Sequence, residues 1–235
     1  MGKKSATADR KARLEEIRKT QQAAERRRTM LVAGAAGVVV IGLVAAVTVV
    51  IRNQVAASDM TKIGVTTAAA SCDPEVKDAI TGVSDHVGPG TNTPNETTVK
   101  YATIPPSSGK HFATPITPAR AFYTAADRPV LETLVHNLEH GYTIVWYDES
   151  TPKAQQDELK KLAPLARNDK NAGPKFIVSA WDQSRGAFPT GKHIAMSHWT
   201  IGTGHRQYCE RPSGEVINDF STQFPLTDSP EPEGG

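Results

Sequence analysis

The chain has 235 residues with 38% hydrophobic and 22% charged side chains, enough for one ordinary domain plus flanking segments. Its net charge of +2 is unevenly spread: residues 1–29 hold ten basic and four acidic groups, and the remainder is net −4. A nucleic-acid binder would carry its positive charge on the folded domain, and two cysteines are too few for a disulfide-dense mini-protein or a four-cysteine zinc site.

Residues 8–28 combine strong helix formers with many charges and lack Gly and Pro, which predicts a polar helix. Leu31 to Ile51 follow without a charge and with one hydroxyl, Thr48. A helix of that length spans ~32 Å, the thickness of a bilayer's hydrocarbon core. We therefore expect a cytoplasmic basic segment over 1–29 and a transmembrane anchor over 30–52. Arg26–Arg28 on the leading side place the N-terminus in the cytoplasm and the rest outside. A cleaved signal peptide is the rival reading, with Val55-Ala56-Ala57 as a small-residue cleavage site. The long charged region and long apolar core favour the anchor.

Residues 53–71 are small and polar and read as a linker, and 225–235, rich in Pro, Gly and acid, as a disordered tail. Between them lies one domain, 72–224. Its first half is broken by Gly88-Pro89-Gly90, Pro94, Pro105-Pro106, Gly109, Pro115 and Pro118, leaving room for short strands such as Thr98–Thr103. Pro129–Glu139 predicts a helix, with Leu131, Leu134, Val135 and Leu138 on one face and Gly141 closing it. Tyr142–Tyr147 reads as a buried strand, and Thr151-Pro152 opens a second helix to about Ala163. Lys175–Trp181 and His193–Thr200 are further strands, and Glu215–Phe224 is a last short helix. The order predicts an α+β or small α/β extracytoplasmic domain with a proline-rich irregular N-terminal wrap.

Cys72 and Cys209 lie near the two ends of this domain, and in an oxidising compartment they form a disulfide. A metal thiolate at Cys209 is the alternative. His136 and His140 stand at i, i+4, a common metal-chelating spacing on a helix. The letters from His136 to His140 also satisfy H-x-x-E-H, in which Glu139 would activate water on a protease zinc. Gly141 ends the helix at once and no third acidic ligand is near, so a metallohydrolase is the weakest reading. The remaining histidines, His86, His111, His193, His198 and His205, taken singly read as surface or hydrogen-bonded residues.

Two motifs together add a resemblance. His86-Val87, Tyr101, Pro105-Pro106, Ser108-Gly109, His111, then His136, Leu138, Glu139, His140, Gly141 and the late Trp199 resemble the pattern of the domain of unknown function 3105 family. The resemblance covers roughly residues 72–222. It implies one N-terminal transmembrane helix and an extracytoplasmic domain, with no activity attached. It also singles out His86, His111, His136 and His140, four imidazoles suited to a copper or zinc ion, with Glu139 behind them accepting an imidazole N–H. No catalytic residue is assigned. Two readings follow: a metal-binding protein with a structural, storage or delivery role, and a non-catalytic envelope module that docks on a membrane complex while its histidines hold the fold. Both take the lipid bilayer as a partner and exclude nucleic acid.

Overall fold

The structure is a computed structural model describing residues 3–170 and 173–234, except that the side chains of residues 3–12, 17, 32, 35–41 and 51–57 lie outside the described set. It divides into two compact units, Met1–Ala56 and Ala57–Gly235. The first is one helix, α1 (Lys3–Ala57). The expected anchor falls within α1, and many of its side chains lie outside the described residues. Among the described residues, no helix is long and apolar enough to cross a membrane. The described apolar side chains at Leu31, Leu43, Val44 and Val47 are exposed on this unit.

The second unit is built on a mixed six-stranded sheet. Its strands are β1 (Val76–Asp78), β4 (Phe122–Tyr123), β5 (Thr143–Tyr147), β6 (Phe176–Ala180), β7 (Ile194–Trp199) and β8 (Gly204–Cys209), in spatial order β1-β8-β7-β5-β6-β4. A separate parallel pair, β2 (His86–Val87) and β3 (His111–Phe112), lies in the wrap. Strands β4, β6 and β5 run parallel, whereas β7 and β8 join antiparallel. The expected α+β class is observed.

Strands β5, β6 and β7 are buried along their whole length because helices cover both faces. Val145, Tyr147, Phe176, Val178, Ile194 and Met196 pack with α3 (Lys153–Asn168) and α4 (Gly214–Gln223). Alternate residues Ile144, Trp146, Ile177, Ala195 and Trp199 pack with α2 (Leu131–Glu139). The apolar stripe Leu131, Leu134, Val135 and Leu138 holds α2 there. Gly141, at φ 84°, ends the helix, and a Cβ on it would stand 2.2 Å from the Leu226 carbonyl oxygen.

Several expectations are corrected. Thr98–Thr103 forms no strand; Val99 N–H donates instead to the buried Glu132 carboxylate. Glu132 also pairs with Arg185 at 2.9 Å, so a side chain, not a ladder, ties this segment to α2. The expected linker is helical up to Ala57 and then folds into the domain, burying Met60 and Ala70 in the core. The tail is not disordered: Ser229 is buried, and Lys175 Nζ donates to the carbonyls of Pro232 and Gly234. Strand β8 escaped the sequence reading because Gly-His-Arg-Gln-Tyr-Cys is largely polar. Arg206 on it pairs with Asp78 of β1 and is buried by that pairing.

Candidate metal centre

The site forms where β2, β3 and the last turn of α2 meet. Parallel pairing puts His86 and His111 in direct register, so both rings leave the pair on one face. His136 comes from α2, and its ring centroid lies 5.0 Å from that of His86 and 4.7 Å from that of His111. Glu139 follows one turn later on the same helix. One donor atom from each of His86, His111, His136 and Glu139 lies within 4.8 Å of the other three.

Backbone carbonyls fix the ring chemistry. A carbonyl oxygen accepts only, so each Nδ1 facing one carries the proton. His111 Nδ1–H donates to Gly109 O at 2.8 Å, and His136 Nδ1–H donates to Phe112 O at 2.5 Å. In the neutral form of each ring, Nε2 is then the bare lone pair that faces the centre. This is the arrangement by which outer carbonyls orient metal-binding imidazoles. The turn before His111 depends on Gly109, at φ 141°, where a Cβ would sit 2.8 Å from the Tyr101 ring.

Glu139 is fully buried. Its Oε1 accepts from Ser84 N–H at 2.6 Å, which leaves Oε2 for the centre. Oε2 approaches His111 Nε2 to 2.9 Å. The Nε2 atoms of His86 and His111 and Oε2 of Glu139 are all buried without a hydrogen-bond partner. Three such atoms converging on one point are what a cation would satisfy. Ligands on a tetrahedral zinc with ~2.1 Å bonds are ~3.4 Å apart, so separations of up to 4.8 Å would close by at most ~1.4 Å, while His111 Nε2 and Glu139 Oε2, now 2.9 Å apart, would open by ~0.5 Å.

The electrostatics favour the binding forms. Burial pushes the His136 imidazole down to about 4, and the neighbouring His111, His140 and His86 rings act in the same direction, so it is neutral near pH 7. Burial raises the Glu139 carboxyl, but the Ser84 N–H and the His111 ring, when that ring carries a proton on Nε2, hold it below the usual carboxylate range.

His140 and Glu139 exchange the places expected of them. Glu139, expected behind the ligands, turns its Oε2 into the group; His140 is absent from it. The helix ends at Glu139, and His140 occupies the cap with φ −86° and ψ 13°. Its ring stacks on His136 at 4.6 Å, and its Nδ1–H donates to Glu231 O at 3.0 Å. With Glu139 tied to Ser84 and facing His111, the metalloprotease pattern from His136 to His140 lacks its second ligand and its free base. Cys72 and Cys209 form a disulfide, which removes the thiolate alternative. His193 pairs with Asp148, His205 lies between Glu75 and Thr200, and His198 is buried against Thr143. Sequence reasoning missed Ser84, whose left-handed φ of 50° aims its N–H at Glu139. It also missed Glu231; neither position carries a sequence signal.

The chain belongs to the family described as Protein of unknown function (DUF3105), whose model matches residues 92–235. The match begins after His86 and runs through the docked tail. No curated protein matches the chain, and no solved structure does.

Proposed function

We propose that this protein is a membrane-anchored, extracytoplasmic protein that binds a transition-metal ion, zinc or copper, through His86, His111, His136 and Glu139. The observation carrying this is the convergence of buried, unpartnered donor atoms whose rings are oriented by backbone carbonyls. The donor set is three imidazoles and one carboxylate. That set suits zinc(II) or copper(II) better than copper(I), which prefers sulfur. Four protein donors close a tetrahedral shell, which fits a structural, storage or delivery role rather than catalysis. The 21-residue apolar run Leu31–Ile51 and the basic residues before it support the anchor and its orientation.

The test is metal content of the purified full-length chain, wild type against His111→Ala/His136→Ala. One equivalent in the wild type and none in the variant is expected; equal, negligible metal in both refutes the proposal. Anchoring is tested by alkaline extraction of membranes, from which an anchored chain is not released.

A second reading has its own support. The His136 Nδ1 contact to Phe112 O and the Ser84 N–H contact to Glu139 fasten the wrap to α2. A non-catalytic envelope module docking on a membrane complex would use the histidines for that alone. It predicts destabilised variants with no metal dependence.

A further inference from the structure

The residues that close the metal centre from behind belong to the C-terminal tail, and one of them, Glu231, touches three elements of the site. Its N–H donates to the Glu139 carbonyl at 3.1 Å. Its carbonyl accepts from His140 Nδ1, which holds that ring stacked on His136. Its carboxylate accepts from Ser84 Oγ at 2.8 Å, and Ser84 is the residue whose N–H fixes Glu139 Oε1. Lys175 then clamps the tail in place. Its ammonium donates to His140 O at 2.8 Å and to Pro232 O and Gly234 O, both at 2.6 Å. Gly234 lies so close to the His140 ring that a Cβ there would stand 1.9 Å from its Nδ1.

Resting on the metal-binding reading, we infer that the tail is a latch on this site: Glu231 and Lys175 are positioning residues that set how fast the ion exchanges. The argument is geometric. Glu139 is the one anionic donor, and its orientation is set by Ser84 and by its own backbone, both of which Glu231 contacts. Releasing the tail frees Ser84 and the Glu139 carbonyl together and unpins His140 beside His136. Contacts that orient a ligand without touching the metal commonly govern affinity by about tenfold to hundredfold. A segment held by hydrogen bonds, with no apolar side chain of its own in the core, is also among the first to open locally. A partner that engages the tail would thereby promote transfer of the ion.

The experiment uses the full-length chain in detergent, loaded with zinc, and follows release to an excess of a chromophoric chelator. Wild type is compared with a chain ending at Pro230 and with Lys175→Met; cobalt(II) absorption spectra of the same proteins report ligand geometry. The expected result is unchanged stoichiometry, release faster by about tenfold to hundredfold, and an altered cobalt spectrum. Wild-type rates and spectra in both variants overturn the latch and leave the metal site standing. A wild type that takes up neither ion overturns the metal-binding reading, and the latch with it. Should the shortened chain fail to fold, Lys175→Met decides alone.

Discussion

Replacing Glu139 with Gln separates a metal centre from a structural ion pair. In the metal-free protein the amide oxygen of the Glu139→Gln variant can keep the Ser84 N–H, and its NH2 can donate to the bare Nε2 of His111. A buried charge is lost, but no polar atom is newly orphaned, so stability should stay within about 1 kcal/mol of wild type. The metal-bound protein responds differently. A ligand at about 1,000 times its Kd stabilises by ~4 kcal/mol, which for a domain of this size raises Tm by about 8–16 °C. Loss of the anionic donor weakens binding by at least about tenfold to hundredfold, removing ~1.4–2.8 kcal/mol of that gain. Thermal unfolding followed by circular dichroism, with EDTA or with zinc, reads both quantities. The reasoning is refuted if the variant with EDTA falls by about 3–5 kcal/mol while zinc leaves the wild type unmoved. That is the signature of a broken His111–Glu139 ion pair.

Removing the disulfide with Cys72→Ala/Cys209→Ala opens a loop spanning 137 residues and should cost ~5 kcal/mol in the chain-entropy account, read by urea unfolding. His198 is buried and its imidazole is pushed down by that burial to about 3. Its folded pKa lies below the unfolded value near 6.5, so the unfolded chain takes up the proton first. The contribution of His198 to stability should therefore fall by ~1.4 kcal/mol per pH unit as pH drops from about 6.5 towards 3. The His198→Gln variant should lack that one-proton slope; an identical slope refutes the assignment. Glu132→Ala leaves the Val99 N–H without its acceptor and the partly exposed Arg185 without its carboxylate, and should cost about 1–3 kcal/mol by the same urea assay, whereas an exposed pair would cost under about 1 kcal/mol.

Elements with strong local patterns were legible in the sequence. The stripe Leu131, Leu134, Val135 and Leu138 and the stop at Gly141 define α2, and the β-branched and aromatic run before Tyr147 defines β5. What failed were segments whose burial is decided by distant partners. β8 is polar in sequence, and its Arg206 is buried because Asp78 arrives from another strand. The 225–235 tail has the composition of a disordered segment, yet Lys175, 59 residues before Gly234, pins it through two of its carbonyls, those of Pro232 and Gly234. Composition measures what a segment can bury by itself, and this tail is held by hydrogen bonds that others donate.

The site divides along the same line. Side-chain identity picked out His86, His111 and His136, because imidazoles grouped by two motifs are visible as letters. Helical periodicity then misassigned the fourth donor. A continuous helix puts i and i+4 on one face, which favours His140, but α2 stops at Glu139 and His140 takes the cap conformation. Position i+3 is still helical and still on the His136 face, so Glu139 is the residue delivered to the centre. The groups that decide the chemistry are backbone atoms: the Gly109 and Phe112 carbonyls that put the ring protons on Nδ1, and the Ser84 N–H that occupies one carboxylate oxygen. Every residue offers such atoms, so no letter marks them. They become specific only once β2 and β3 pair in register, and that pairing turns two isolated histidines into half of a binding site.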